Sequence, residues 1–335
     1  MDRVSINIVT WNSEIYITAC LKSVFEQIFK NFDVTVVDNG SQDKTLQLIR
    51  ERFGGHVTII ANPTNEGYCR AHNRAIAKGA GDYILTLNPD VMLAPTFLEN
   101  MILAINSAPD IGSVNGKLLR VESEYFGEHF EITPHLLTID SAGLAMLRTR
   151  RQVLRGHLAD HRQYRDMTYI FGPDGAAALY RREMLEDVKV EGEYFDGDFV
   201  IHKEDVDLAW RAQLCGWKSL YVPDAVAYHV RGFRPGRREG MAAEVKRHAL
   251  KNRYLLIMKN ELPQTFLRDC LHILFYDLEI LAYVLLFEKS SLPAYWDCLR
   301  LAAKMLRKRK EIQKRRRVPS GYMAGLFQTA ESLRV

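Results

Sequence analysis

The first hundred residues alternate between two hydrophobic periodicities. Continuous apolar runs typical of buried strands occur at 4–9, 32–38, 57–61 and 82–87. Between them, apolar residues recur at helical spacing, as at Ile17, Leu21, Val24 and Ile28. Ser41 with Asp43 predicts the start of a second helix, and Gly79 the end of a third. This alternation predicts an α/β fold with a doubly wound, mainly parallel sheet and right-handed crossovers.

Polar residues follow three of these strands. In doubly wound sheets, ligands bind beyond the carboxyl ends of the strands. Thr10-Trp11-Asn12, Asp38-Asn39-Gly40-Ser41 and Asn88-Pro89-Asp90 occupy those positions. The first turn lacks G-x-G-x-x-G, and the chain has no G-x-x-x-x-G-K-[ST], which excludes a nicotinamide or flavin dinucleotide site and a P-loop. Asn-Pro-Asp is also a common turn, but carboxylates at two strand ends suit a nucleotide whose phosphates are held through a metal ion.

The middle of the chain is less regular and contains two informative segments. In FGPDGAAALYRREML, Gly172, Gly175 and three alanines allow the backbone to approach a ligand or a packed helix closely. EDVDLAWRAQLCG then predicts a helix with acids in its first turn and Gly216 at its end. WKSLYV predicts a strand, and His229 ends a second apolar run.

The chain turns helical from about residue 240. Residues 271–287 are strongly apolar but contain His272, Asp277 and Glu279, so we expect a packed or interfacial helix rather than one that spans a membrane. Residues 304–317 hold nine basic residues and one acidic residue, although the whole chain carries only +4. This basic segment predicts attraction to an anionic membrane; a solvated helix or an oligomer contact is the alternative. It lacks interleaved aromatic residues, so a nucleic-acid partner is not expected.

Composition narrows the class of protein further. The chain has 335 residues, 47% of them hydrophobic and 26% charged, as in ordinary globular proteins. Five scattered cysteines without a C-x-x-C pair argue against a disulfide framework or a structural zinc site. The first residues enter a strand pattern without the apolar core of a signal peptide. We therefore expect a cytosolic protein with one domain at 1–235, divided into halves of about 1–115 and 116–235, and a basic helical extension at 236–335.

Seven segments in order resemble one enzyme family. They are SINIVTWNS, VDNGSQD, NEGYCRAHNRA, LNPDV, FGPDGAAALYRR, HKEDVDLAWRAQLCGW and VPDAVAYH. This series resembles the inverting GT-A fold glycosyltransferases of the second sequence family, most closely the rhamnosyltransferase branch that builds bacterial surface polysaccharides. The resemblance implies a nucleoside-diphosphate sugar as donor, with dTDP-L-rhamnose the first expectation and UDP-sugars open.

The resemblance also implies roles for individual residues. Asp90 and His229 would bind Mg²⁺ or Mn²⁺, which neutralises the leaving diphosphate, and Asp205 would be the general base with Glu204 beside it holding the acceptor. The expected nucleotide contacts are Thr10, Asn12, Asp38, Asn65, Arg70, Asn88 and Arg231. Alternatives remain for several of these: a turn or cap for Asp38, a core position for His229, and acids that complement the helix dipole in 204–207.

These expectations combine into one function. The chain would be a cytoplasmic enzyme, peripheral on the inner face of the plasma membrane, that transfers a sugar to a glycan or a polyprenyl-diphosphate-linked acceptor; an oligomer is possible. Asn88 stands where family members often have the first aspartate of D-x-D, which favours an alternative, a non-catalytic sugar-nucleotide or glycan-binding subunit. A nucleotidyltransferase would need a glycine-rich first turn, and TWNSE is not one.

Overall fold

Two sheets organise the part of the chain that the computed structural model describes, residues 2–122, 138–230 and 241–333. The strands, in chain order, are β1 (Val4–Thr10), β2 (Phe32–Asp38), β3 (Thr58–Ala61), β4 (Tyr83–Leu87), β5 (Val91–Leu93), β6 (Ile111–Arg120), β7 (Thr138–Ser141), β8 (Leu144–Leu147), β9 (Gln152–Leu154), β10 (Thr168–Ile170), β11 (Ala177–Arg181), β12 (Lys218–His229) and β13 (Phe327–Gln328). The larger sheet has the order β10-β12-β6-β11-β4-β1-β2-β3, with β5 paired to β12 and β7 to β6. The smaller has the order β13-β8-β9.

Helices cover the larger sheet and form the C-terminal region. They are α1 (Ile17–Phe25), α2 (Thr45–Phe53), α3 (Tyr68–Lys78), α4 (Phe97–Ile105), α5 (Arg182–Val188), α6 (Glu204–Leu214), α7 (Ala243–Asn260), α8 (Pro263–Phe287), α9 (Pro293–Arg315) and α10 (Ser320–Leu326). The predicted α1 is one turn too long, because Ile28 lies beyond its end and is 55% exposed. There the Gln27 side chain bonds the Ser23 and Ala94 carbonyls, and the Ile28 N–H bonds Pro95.

The four strands predicted from the N-terminal pattern form a parallel block, β4-β1-β2-β3. Ile6 and Ile8 pack with residues of α1, α2 and α4 on one face, whereas Val9 and Val37 pack against α3 on the other. Both faces are covered, which is why these strands are apolar almost throughout. The predicted doubly wound α/β fold is therefore confirmed.

An antiparallel strand joins this block to the second half of the sheet. β11 lies between β4 and β6 and runs antiparallel to both, with Ala177 opposite Leu87 and Ala178 opposite Asn115. The segment that precedes β11 therefore lies beside the carboxyl end of β4. The small residues of this segment allow close packing as expected: a Cβ on Gly172 would lie 2.2 Å from the Cβ of Ala209 in α6.

The basic segment 304–317 is part of the protein body rather than a free tail. It forms the second half of α9 and continues to Arg317. Lys308 is 1% exposed, and its Nζ lies 2.5 Å from Asp196 and 2.7 Å from Asp198. Arg317 pairs with Asp187 at 2.6 Å. Much of the positive charge expected to face a membrane is therefore neutralised by acids of residues 187–198.

The apolar helix α8 is exposed. It has 25 residues, and only 11% of its most apolar 18-residue stretch is buried. Several large side chains along it are more than half exposed: Leu267, Leu271, Leu274, Phe275, Leu278, Leu286 and Phe287. Of the two expected alternatives, a packed helix does not agree with this exposure, and an interfacial helix stays a prediction. Among the described helices, α8 alone has the length and composition that crossing a membrane requires.

Replacing Lys308 by alanine should strongly destabilise the protein. Asp196 is buried between Lys308 and Lys259, so removal of one cation leaves a buried carboxylate short of a partner, which typically costs about 3–5 kcal/mol. Lys310→Ala, an exposed lysine of the same helix, should change the free energy of unfolding by no more than about 0.5 kcal/mol. Urea denaturation measures both; equal, small effects would show that the α9 charges do not stabilise the fold.

Candidate active site

Thr10 and Asp38 meet at the carboxyl edge of the parallel block. They are register partners on β1 and β2, and the Asn39 N–H donates to the Thr10 carbonyl. The Asp38 carboxylate accepts bonds from the Ser41 hydroxyl (2.5 Å) and the Ser41 N–H (3.2 Å). The turn role left open for Asp38 is thus present in the structure. The buried Thr10 hydroxyl has no hydrogen-bond partner among the described residues.

Asn12 and Asn65 brace the loops around this edge. The Asn12 N–H donates to Ser41 Oγ (2.9 Å), and its Oδ1 accepts from the Gln42 N–H (2.8 Å). Asn65 Oδ1 accepts from Asn39 Nδ2 at 3.1 Å. These bonds tie the loops after β1, β2 and β3 together, so both asparagines lie at the expected edge.

The remaining expected nucleotide contacts are more dispersed. Asn88 directly follows β4, the strand that pairs with β1. Its N–H donates to the Ala176 carbonyl (2.9 Å). Arg70 is an exposed residue of α3, and its Nε would lie 3.4 Å from a Cβ at Gly197, in the segment leading towards α6. The structure thus places Arg70 beside the segment that leads towards α6. Arg231 lies outside the described residues.

Asp90 and His229 form a pair at the end of β4. His229 is the last residue of β12, opposite Val91 of β5, and its Nε2 lies 3.6 Å from Asp90 Oδ1. On the other side of the ring, Nδ1 lies 2.8 Å from Oδ2 of the buried Asp140. Burial alone would lower the pKa of His229, but Asp90 and then Asp140 outweigh it and raise the pKa to about 10. Near neutral pH this raised pKa keeps His229 protonated between the two carboxylates, so a divalent cation at Nε2 would have to displace a proton.

This pair fits a divalent cation that takes its other ligands from a substrate. Within residues 2–122, 138–230 and 241–333, no group of three His, Cys, Asp or Glu side chains could enclose a metal ion. Mg²⁺ and related ions commonly need only one or two protein ligands, completed by phosphate oxygens and water. A carboxylate on the far nitrogen of a ligand histidine, as Asp140 provides, fixes ring orientation and tautomer in metal sites.

Glu204 and Asp205 begin α6 at the same edge of the sheet. Asp205 Oδ2 accepts from the Gly175 N–H (3.2 Å), and its Oδ1 accepts from the Val206 N–H (2.7 Å). Gly175 is the neighbour of Ala176, whose carbonyl bonds the Asn88 N–H. One short segment thus connects Asp205 to the strand end that carries Asp90. The expected metal and base residues therefore lie at the same edge of the sheet, where β4 ends.

The two carboxyl groups are held in an environment that disfavours their charge. Burial, followed by the charge of Asp205, raises the pKa of Glu204 to about 8. Burial, followed by the charge of Asp174, raises the pKa of Asp205 to about 6. Glu204 Oε2 is buried without a hydrogen-bond partner among the described residues. Near neutral pH, Asp205 is ionised beside a protonated Glu204, a combination suited to accepting a proton from a substrate.

Asp207 differs from these neighbours. It is fully buried and bonds Arg211 (3.0 Å), Lys259 (2.8 Å) and Asn260 (2.8 Å). A fixed set of buried partners, rather than complementation of the helix dipole, accounts for its charge.

Two site residues were not found from the sequence. Asp140 lies in the strand segment TIDS, which carries no recognisable motif and is about 90 residues from His229. Asp174 lies within FGPDGAAALYRR, a segment whose glycines and alanines predict only close backbone packing. It is 7% exposed and lies next to Gly175, the partner of Asp205. The signal available in the sequence was an aspartate enclosed by Gly172, Pro173 and Gly175.

Comparison with known proteins identifies the family. The family model of glycosyl transferase family 2 matches residues 5–189, more than half of the chain. The chain therefore belongs to glycosyl transferase family 2, and its α/β fold is of the GT-A type. The matched region contains Thr10, Asp38, Asp90 and Asp140, but it ends before Glu204.

Individual relatives are more distant. N-acetylglucosaminyl-diphospho-decaprenol L-rhamnosyltransferase of Mycobacterium tuberculosis is 26% identical over 250 residues, covering 70% of this chain and 78% of that protein. An uncharacterized glycosyltransferase of Haemophilus influenzae is 31% identical over 104 residues, which are 30% of this chain and 42% of that protein. The chain thus matches less than half of the latter's length.

Solved structures share the fold at low sequence identity. The crystal structure of S. aureus TarS 1–349 has a TM-score of 0.55 and 17% identity, and the match covers 93% of this chain and 90% of that chain. GalNAc-T7, in a structure with UDP, GalNAc and Mn²⁺, has a TM-score of 0.60 and 16% identity, and the match covers 77% and 48% of the two chains. At these identities the likeness concerns the fold.

Replacing Glu204 by glutamine should stabilise the protein at alkaline pH. The folded-state pKa of Glu204 is raised to about 8. Between the ordinary pKa of a glutamate and pH 8, the folded protein therefore retains a proton that the unfolded chain has lost. The free energy of unfolding therefore falls as pH rises through this window. Glutamine does not ionise, so the variant should not show this fall. We expect a Tm gain on the order of a few degrees at pH 8.5 and little or none at pH 5.

The matched control is Glu99→Gln, at an exposed glutamate in the first turn of α4. Its effect on Tm should be the same at both pH values. A Glu204→Gln protein without extra stability at pH 8.5 would contradict the assignment of Glu204 as a buried, protonated acid. Differential scanning calorimetry measures both variants.

Proposed function

We propose that this glycosyltransferase is a metal-dependent inverting enzyme that transfers a sugar from a nucleoside-diphosphate donor to a hydroxyl group of a glycan or lipid-linked acceptor. The observation that carries the proposal is the common edge formed by Asp90 with His229 and by Asp205. The short segment Gly175-Ala176 bonds both the Asp205 carboxylate and the strand end at Asn88. An inverting transfer needs these two functions on either side of one sugar: charge neutralisation at the leaving group and a base at the acceptor.

Asp90 and His229 would hold the cation on the donor side. Bound there, Mg²⁺ or Mn²⁺ supplies Lewis-acid neutralisation of the leaving diphosphate. Asp140 would orient His229 through the 2.8 Å bond to Nδ1. Thr10, Asp38 and Asn88 lie on three adjacent strands and would contact the base and ribose. Asn12 and Asn65 would support that pocket through their loop bonds, and Arg70 and Arg231 would bind the diphosphate.

Asp205 would remove the proton from the acceptor hydroxyl. Its raised pKa, about 6, keeps it ionised at neutral pH while making it a stronger base than an ordinary aspartate. Glu204, protonated beside it, would donate a hydrogen bond to the acceptor. A proton on Glu204 also spares Asp205 a second adjacent negative charge.

For the donor we propose dTDP-L-rhamnose, with UDP-sugars as the alternative. The M. tuberculosis relative is named as an L-rhamnosyltransferase and covers 70% of this chain. Structural neighbours are described with UDP or with GDP-Man and Mn²⁺. The name of the M. tuberculosis relative also specifies a diphospho-decaprenol acceptor, which supports a lipid-linked acceptor and a role in bacterial polysaccharide synthesis.

A lipid-linked acceptor lies in a membrane, and the exposed helix α8 would bind that membrane. We propose that α8 lies on the cytoplasmic face of an anionic membrane, because its large apolar side chains would otherwise face water. Trp296 and Leu299 of α9, 63% and 69% exposed, extend the apolar surface. The exposed lysines and arginines of α9 would add only electrostatic attraction. Membrane contact through α8 replaces the basic segment as the main anchor.

A crossed experiment with two variants tests the catalytic proposal. Calorimetry with Mn²⁺ and a panel of dTDP-L-rhamnose, UDP-glucose, UDP-N-acetylglucosamine and GDP-mannose identifies the donor. Asp90→Ala should abolish its metal-dependent binding, because a cation ligand is lost. Asp205→Asn should retain donor binding but reduce release of the nucleoside diphosphate by about 10²–10⁴-fold, the usual contribution of a general base.

Each assignment has its own contradictory result. Normal Mn²⁺-dependent affinity in Asp90→Ala would remove Asp90 from the metal site. Normal turnover in Asp205→Asn would remove Asp205 as the base. Binding of a donor without any turnover in the native protein would favour the non-catalytic binding subunit.

Vesicle flotation tests the membrane proposal. The double variant Leu271→Asp/Leu278→Asp places charges on two α8 side chains that are 62% and 51% exposed. It should no longer float with vesicles of phosphatidylglycerol and phosphatidylethanolamine. The control Lys310→Ala/Lys314→Ala/Arg316→Ala neutralises three exposed basic residues in and directly after α9 and should retain most binding. Equal flotation of native and α8 variants would reject α8 as the lipid contact, and a dimer that dissociates only in the α8 variant would identify a self-interface instead.

A further inference from the structure

The segment that enters α6 has an unfavourable backbone conformation. Val200, His202 and Lys203 have φ values of 66°, 68° and 68°. Such left-handed conformations are uncommon for residues other than glycine, and for a β-branched residue such as valine they are rare. Residues in these conformations persist only where the surrounding structure holds them. Glu204 and Asp205 follow directly, so whatever holds this segment also sets where the two acids lie.

The side chain of Asn252 in α7 holds the segment from one side. Its Nδ2 lies 2.9 Å from the Phe199 carbonyl, 2.9 Å from the Ile201 carbonyl and 2.7 Å from the His202 carbonyl. Asn252 is fully buried. Its amide orientation follows from the chemistry, because a flipped amide would direct its oxygen at three carbonyl oxygens. The two hydrogens of this amide are thus shared among three carbonyl groups, of which that of Phe199 also accepts from the Ile201 N–H at 2.8 Å.

The nucleotide edge holds the same segment from the other side. The Cys69 N–H donates to the Val200 carbonyl at 3.2 Å. Gly67 has a φ of +86°, and a Cβ there would lie 2.7 Å from Val200 Cγ1. The Gly67 carbonyl in turn accepts from Asn39, the residue after Asp38. The entry to α6 is thus fixed between the nucleotide edge and α7.

A second contact from α7 fixes α6 one turn later. Lys259 and Asn260 lie two turns after Asn252, on the same side of α7, and both bond Asp207. These contacts secure the body of α6 and give residues 199–203 no hydrogen bond, although the Lys259 ammonium also lies 5.1 Å from the centroid of the Phe199 ring. The hydrogen bonds to the backbone of the α6 entry therefore come from Asn252, whereas Lys259 and Asn260 bond Asp207 in the body of α6, so mutation of Asn252 changes the backbone contacts alone.

We propose that Asn252 is a positioning residue for catalysis: by gathering the carbonyls of residues 199, 201 and 202, it fixes the geometry in which Asp205 meets the acceptor hydroxyl. The inference rests on the proposed role of Asp205 as the base. It assigns to the C-terminal helical region a part in the reaction as well as in stability. Asn252 itself contacts neither the donor nor the acceptor in this arrangement.

The test compares Asn252→Leu with the native protein. Leucine has a similar size but no donor, so the segment should relax and Asp205 should shift. Using the donor that binds best with Mn²⁺ and water as acceptor, kcat for release of the nucleoside diphosphate should fall by about 10–100-fold, the scale of an ångström-sized misplacement. Donor affinity should stay within about twofold, because the nucleotide pocket is intact. The acidic limb of the pH profile should move to lower pH as water reaches Asp205, and hydrogen exchange at 199–204 should quicken.

Arg247→Met is the structural control. It removes the bonds of 2.6 and 2.7 Å between α7 and Asp297 of α9 without touching residues 199–203. It should lower Tm but leave kcat and the pH profile unchanged. If the leucine variant does not fold, Asn252→Ser replaces it in the test. Serine keeps one hydrogen-bond donor, so this variant should show an intermediate loss of kcat.

Two results distinguish the possible failures. If Asn252→Leu, or the serine variant, lowers Tm while kcat and the pH profile remain native, Asn252 is only structural and the inference is overturned. If Asp205→Asn itself retains native turnover, the proposed base is wrong, and the effect of Asn252 cannot be attributed to it. A loss of kcat with unchanged donor affinity in Asn252 variants, together with an inactive Asp205→Asn protein, supports both.

Discussion

The antiparallel pairing of β11 with β4 is the constraint on which the site depends. Without it, the parallel block would end at β4, and Asp90 would have no acidic partner across the edge. Because β11 runs opposite to β4, with Ala177 facing Leu87, the residues before β11 lie beside those after β4. The Gly175 N–H can then reach Asp205 while the Ala176 carbonyl bonds Asn88. A register shift of one residue would reverse the faces of these side chains and separate the two halves of the site.

The sequence predicted the parts of the fold that repeat with a local period. The first four strands are confirmed because buried parallel strands are apolar throughout, and α6 because its acids, apolar positions and terminal glycine all agree. Residue roles at the site stay predictions, although the structure places Thr10, Asp38, Asp90, Asp205 and His229 along one edge. Asp140 and Asn252 could not be found in this way. Each acts through a contact about 50 to 90 residues away, which leaves no periodic trace.

The C-terminal region reverses the usual relation between polarity and burial. Its most basic segment supplies a buried cation, Lys308, whereas its most apolar helix faces outward. Composition alone predicted the opposite, since charged segments are usually solvated and apolar ones packed. The reversal follows from pairing: Asp187, Asp196 and Asp198 in the catalytic half need cations once they are covered. Helix α8 has no such requirement, and its apolar surface is left exposed.

The strand β13 pairs the C-terminal region with β8, and this pairing affects how the chain folds during its synthesis. Phe327 and Gln328 complete the small sheet by pairing with β8, and the guanidinium of Arg150 stacks 3.8 Å over the Phe327 ring. About 180 residues separate the partners along the chain. On the ribosome, which adds roughly 5–20 residues per second, the nascent catalytic half therefore waits many seconds with an open β8 edge. An unpaired edge of this kind is prone to pairing with other chains, so slow translation or chaperone capture during that interval bears directly on the yield of folded protein.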